Sequence, residues 1–238
     1  MKTIPFILLS TVFLVQLADA ANVLSPSVLG NTSSTGPFLL PPSQAPDIRY
    51  QQVYGASDFA QVGVGLFQIT EIRFDPAGSG VTYNLPNLQI NLSTTSRNPD
   101  GLSPLFADNV GADDTVVQSG PLVFSGLPTF GINIPLQTPF LYDSRNGNLL
   151  MDVRNYQTVP PHFMIDFLSA EDTLGDTVSS VAGAVNATSG GTGTVGLRTR
   201  FTVTLIPEPS TGAILILGVM TFGFVLSKKA KSETKNVT

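Results

Sequence analysis

The sequence predicts an all-β fold, an antiparallel β-sandwich or jelly-roll-like ectodomain, set between two apolar end segments. Three observations carry that expectation. Apolar residues recur at every second position in short runs, the spacing that puts them on one face of a strand. Gly, Pro, Asn and Asp separate these runs at close intervals, as turns between strands require. The only stretch with an arguable helical pattern, Ala170–Asp176, is too short to build a layer.

At the N-terminus, Lys2 precedes an apolar run from Ile4 to Leu17, and Ala18-Asp19-Ala20 supplies small residues at the two positions that specify cleavage. This is the pattern of a secretory signal peptide over residues 1–20, cut after Ala20. Residues 21–47 are rich in Ser, Asn, Gly and Pro, with Pro37, Pro41, Pro42 and Pro46 closing the segment. They read as a flexible lead-in, extended where proline dominates.

The β domain is expected over residues 48–206. Ile72 and Phe74 share one face while Glu71 and Arg73 take the other, and Asp75 to Gly80 turns the chain. Leu88, Ile90 and Leu92 alternate with Gln89, Asn91 and Ser93. Phe130, Ile132, Ile134 and Leu136 form a further row, in which Pro135 demands an edge strand or a bulge. Asn146-Gly147 predicts a hairpin turn before Leu149, Met151 and Val153. Phe163, Ile165 and Phe167 make another inward row. The clearest pattern is the last, with Val195, Leu197, Thr199, Phe201, Val203 and Leu205 facing one way and Arg198, Arg200, Thr202 and Thr204 the other.

From Ser210 to Ser227 there are 18 residues without a charge. As a helix they reach about 27 Å, close to the roughly 30 Å of a bilayer core. Pro207 and Pro209 allow a helix to start after them but not to run through them. Lys228, Lys229 and Lys231 behind the run hold that end in the cytoplasm by the positive-inside rule, leaving 232–238 as a cytoplasmic tail.

The order Pro207-Glu208-Pro209, apolar span, basic cluster resembles the PEP-CTERM sorting signal of exported bacterial proteins, here residues 207–231. The resemblance covers about the last 30 residues of the chain. It implies that an exosortase, a membrane-embedded thiol transpeptidase-like enzyme, cuts near the Pro-Glu-Pro triplet. It also implies a mature form at the cell surface or in extracellular polysaccharide, with the inner membrane as a stopover. Two features depart from the family pattern: the cluster is lysine where arginine is more usual, and a tail follows it.

Composition narrows the chemistry. The chain has no cysteine, which excludes disulfides, thiol nucleophiles and thiolate metal sites. Residues 21–206 carry seven arginines and no lysine against fourteen carboxylates, a net charge near −7. Such a balance argues against nucleic acid and against binding through a basic patch. His162 is the only histidine, too few for the usual zinc cage, and no nucleophile-elbow serine is present. Glu71, Asp75, Glu171, Asp172 and Asp176 are candidate carboxylate pairs for a secreted hydrolase, although outward acids on strands and loops are ordinarily solvated. Asp108, Asp113 and Asp114 concentrate oxygen ligands in one turn, a weak calcium signal without EF-hand spacing. The expectation is therefore a surface or matrix protein with no catalytic residues, no cofactor and no dedicated metal site. A carbohydrate-binding, lectin-like matrix module is the first alternative and a hydrolase the second.

Overall fold

The computed structural model describes residues 19–28, 30–34, 36–38, 47–75, 77, 83–124, 132–156 and 168–206. The expected signal peptide up to Ala18, His162 with the Phe163–Phe167 row, and everything from Pro207 to the lysine cluster lie outside the described residues. Among the described residues, no helix is long and apolar enough to cross a membrane.

The expected antiparallel β architecture is present. Thirteen strands are described: β1 (Ala20–Ser25), β2 (Thr32–Ser34), β3 (Ile48–Tyr54), β4 (Leu66–Phe74), β5 (Tyr83–Thr95), β6 (Thr115–Phe124), β7 (Ile132–Asp143), β8 (Asn148–Asn155), β9 (Leu168–Glu171), β10 (Val178–Ala184), β11 (Gly191–Gly193), β12 (Gly196–Leu197) and β13 (Thr199–Leu205). They form a four-stranded sheet in the order β1-β13-β4-β7, a six-stranded sheet in the order β11-β10-β3-β8-β5-β6, and a three-stranded one in the order β12-β9-β2. Every described pairing is antiparallel.

The two larger sheets pack face to face through the residues that period two selects. Phe67, Ile69, Ile72, Phe74, Phe201 and Val203 from one sheet meet Tyr54, Leu88, Ile90, Leu92, Met151 and Val153 from the other in one buried cluster. A 3-10 turn at Ala56–Gln61 drives Phe59 into the middle, with ring centroids 4.7 Å from Tyr142 and 5.7 Å from both Phe67 and Phe201. Each such side chain contributes about 1.5–3 kcal/mol on burial, the term that stabilises a fold with no cross-links.

Pro135 sits where its missing amide hydrogen does least harm, on the edge strand β7 and beside the register shift between Ile69 and Glu71. Gln137, a little further along β7, reaches across to β6. Its side-chain amide accepts from Ser119 N at 3.2 Å and donates to Ser119 O at 2.9 Å, replacing a missing strand partner.

Five expectations need correction. The lead-in is not free of structure, because β1 and β2 lie within it. β1 pairs along its whole length with β13, from Ala20 opposite Thr204 to Ser25 opposite Thr199. The Asn146-Gly147 turn is not a hairpin: β7 belongs to one sheet and β8 to the other, so the turn arches across the core. Gly147 has φ +148°, and a Cβ there would stand 2.5 Å from Thr95 O. The last strand is broken at Arg198, with β12 joining β9 while β13 joins β1 and β4. Ala170–Asp176 is strand and turn, and the described helical turns are instead Ala56–Gln61 and Phe106–Asn109. Finally, the outer face of the six-stranded sheet is not solvated throughout. The segment between β5 and β6 folds over it and buries Leu102 and Phe106 against Val53, Leu150 and Val181.

Candidate functional site

Three polar assemblies stand out, and their hydrogen-bond accounts differ. The first lies on the outer face of the four-stranded sheet. β4 and β13 pair so that Arg73 and Arg200 are directly opposite each other. Like charges in that position repel and need a partner. The partner is Asp75, one residue beyond β4 and largely buried, which lies 3.2 Å from Arg198 and 3.3 Å from Arg200, with Arg73 Nε at 3.8 Å. Asp75 is held by its backbone: its carbonyl accepts from Ser169 N at 2.9 Å, and its N–H donates to Arg198 O at 3.4 Å. One carboxylate thus faces three guanidinium groups. Arg73 Nε, Arg198 Nε and Arg200 Nε are all buried without a hydrogen-bond partner. Glu71, two residues along the same face, accepts from Thr202 Oγ1 at 3.3 Å.

The second assembly lies under the segment that covers the six-stranded sheet. Asp152, 3% exposed, accepts from Arg49 through Nε at 3.1 Å and Nη2 at 2.5 Å, from Gln51 Nε2 at 3.0 Å and from Arg154 at 3.5 Å. Gln51 also donates to Phe106 O and accepts from Asn109, while the Arg49 guanidinium stacks 4.6 Å from the Phe106 ring centre. This network is closed: two arginines and an amide converge on one carboxylate beneath the covering segment, and none of its buried side-chain nitrogen or oxygen atoms lacks a hydrogen-bond partner.

The third is a pocket of about 230 Å³ at the β10–β11 edge, lined in part by Ser179, Ser180, Thr192 and Thr194 with Asp100 and Leu174. Asp100, at φ +60°, donates its N–H to Ser179 Oγ at 2.8 Å and accepts from Gly175 N at 2.7 Å. Among the described residues, no aromatic ring lines it. Nearby, burial pushes the Asp176 carboxyl up from its ordinary range, and the charges of Asp100 and Glu171 add to that effect.

The residues singled out from sequence separate in space. Asp108 accepts from Ser103 and lies 3.6 Å from Arg97; Asp113 accepts from Thr94 N and Oγ1; Asp114 accepts from Asn91. Each carboxylate is aimed at its own donor. Among the described residues, no three His, Cys, Asp or Glu side chains converge as a metal-ligand set. The hydrolase candidates are likewise engaged: Glu171 with Asn31 N and Thr173, Asp172 with Thr194, and Asp75 with the arginines. Ala20 opens β1, whereas Ala18, Pro207, Glu208, Pro209, Lys228, Lys229 and Lys231 lie outside the described residues.

Sequence reasoning missed the arginine cluster. The signal was present in Arg198 and Arg200, two apart on the polar side of the last row, but nothing local states that Arg73 is their cross-strand neighbour. Comparison with protein families, curated proteins and solved structures finds no match to this chain.

Proposed function

We propose that this chain is an exported cell-surface or extracellular-matrix protein, associated with exopolysaccharide or biofilm and without catalytic activity of its own. Its jelly-roll-like domain is held for a time at the inner membrane by a helix over residues 210–227. An exosortase then cuts close to Pro207-Glu208-Pro209. The observation that carries this reading is the junction itself, a proline pair and a glutamate placed directly before an uncharged 18-residue span and three lysines.

The fold supports the reading in one respect. β1 begins where β13 ends, Ala20 opposite Thr204, so the segments before residue 20 and after residue 206 leave from neighbouring strands at one end of the sheet. A domain tethered there presents its opposite end and both outer sheet faces to the surroundings. Replacing Pro207, Glu208 and Pro209 by alanine in the native host tests the proposal. The variant is expected to accumulate at full length in the membrane fraction while the wild type is shortened and released. Equal processing of the two proteins would refute it.

A carbohydrate-binding module is the second reading, favoured by the hydroxyl-lined pocket at Ser179, Ser180, Thr192 and Thr194. The pocket is smaller than the roughly 300–1,000 Å³ of most small-molecule sites, which restricts it to about one sugar ring. Glycan-array binding that disappears on Ser180→Val would favour this reading over a purely structural role.

A further inference from the structure

We infer that Arg73, Arg198 and Arg200 form a binding site for the carboxylate or sulfate groups of an acidic polysaccharide. Three arginines gathered on Asp75, with Glu71 two residues along the face, leave an excess of one positive charge on a domain whose overall balance is strongly negative. Each guanidinium also holds a buried Nε–H with no acceptor. Those Nε atoms are sealed off, but the outer, partly exposed parts of the three guanidinium side chains can donate charge-assisted bonds to an arriving anion. Arginine suits that task because its planar fork matches carboxylate and sulfate geometry. The side chains are partly open to solvent, at 27%, 16% and 33% for Arg73, Arg198 and Arg200, so a ligand can reach them.

Position selects the source of the anion. β13 runs from Thr199 to Leu205, and Ile206 precedes the junction, so Arg200 stands about 20 Å along the strand from that end. Lipid headgroups at the tether would meet the other end of the sheet, whereas a polymer outside the cell meets this one. The domain's negative balance repels a long polyanion, but at physiological salt that repulsion is screened beyond about 8 Å and the local cluster decides. The inference deepens the matrix reading, and it rests on that reading only in naming a polymer as the source.

The test uses the full chain in a non-ionic detergent and titrates three soluble probes by calorimetry. These are a uronic-acid tetrasaccharide, a neutral glucose tetrasaccharide and glycerol phosphate, the last standing for a lipid headgroup. The uronic-acid probe should bind at least tenfold more tightly than either of the others and should weaken as salt rises. Arg200→Gln should weaken it at least tenfold, and Asp75→Asn, which removes the competing carboxylate, should tighten it. A structural role alone would lower the melting temperature of both variants without opposite effects on affinity. Where a variant fails to fold, the contrast among the three probes on the wild type decides. Equal binding of acidic and neutral tetrasaccharides, or tighter binding of glycerol phosphate, overturns the assignment. Because no cleavage is involved, this outcome is independent of whether the C-terminal signal is processed.

Discussion

Asp152 and Asp75 are both buried aspartates facing arginine, yet their surroundings differ in kind. Asp152 is shared by Arg49, Arg154 and Gln51, under a lid made by Phe106, and every partner is used. Asp75 faces three arginines at the end of an outward-facing sheet, and each of them retains an orphan Nε–H. A closed network specifies packing, since satisfied buried polar groups tolerate only one arrangement. An open one, with three arginines on its carboxylate where the closed one has two, has charge to spare, and that is where a ligand would act. The covering segment contributes to the difference, since the Asp152 side chain beneath it is 3% exposed and that of Asp75 is 12% exposed.

If the contrast holds, removing each carboxylate should separate the two sites. Asp152→Ala leaves the Arg49 guanidinium buried without its partner and should cost about 3–5 kcal/mol, measured by urea unfolding. Asp75→Ala removes an acceptor from a site that water already reaches, and about 1–2 kcal/mol is expected by the same measurement. Similar losses at both would erase the distinction. Arg200→Gln relieves cross-strand repulsion with Arg73 while losing one contact to Asp75, so its stability change should stay within about 0.5 kcal/mol.

Asp58 offers a third kind of buried aspartate, one bound to hydroxyls. It accepts from Ser25 at 2.5 Å and from Thr177 at 2.6 Å, tying β1 to the turn before β10. Burial pushes its carboxyl above the usual range, and the two hydroxyl bonds offset that only in part. The folded state therefore keeps this proton at pH values where the unfolded chain has already released it. The contribution is full below the unfolded pKa and is lost as pH rises through the folded one. Wild type should lose stability relative to Asp58→Asn as pH rises from 3 to 7, seen as a change in the difference of melting temperatures. A flat or opposite slope would place Asp58 with the charge-stabilised aspartates.

What was legible in the sequence was what period two encodes. Ile72, Phe74, Leu88, Ile90, Leu92, Phe201 and Val203 all face the core as their alternation implies, and Pro135 lies on an edge strand. What was not legible depends on distance along the chain. Val23 is fully buried because β13, almost 180 residues later, lies beside it, and the Ser-rich context of β1 gives no hint of that. Asn146-Gly147 specifies a tight reversal but not which sheet receives the returning strand. Phe106 lies in a segment without periodicity, so its burial against Leu150 and Val181 could not be read from pattern. Average charge misled in the same way: a composition that argues against a basic patch conceals a cluster made from three of the seven arginines in residues 21–206.

The most direct test of the account is the intact mass of the mature protein recovered from its native host. The proposal predicts a chain that begins at Ala21 and ends within a few residues of Pro207, free of the apolar span. A mass that still includes Phe222 and Lys229 would contradict it, leaving a membrane-held β domain.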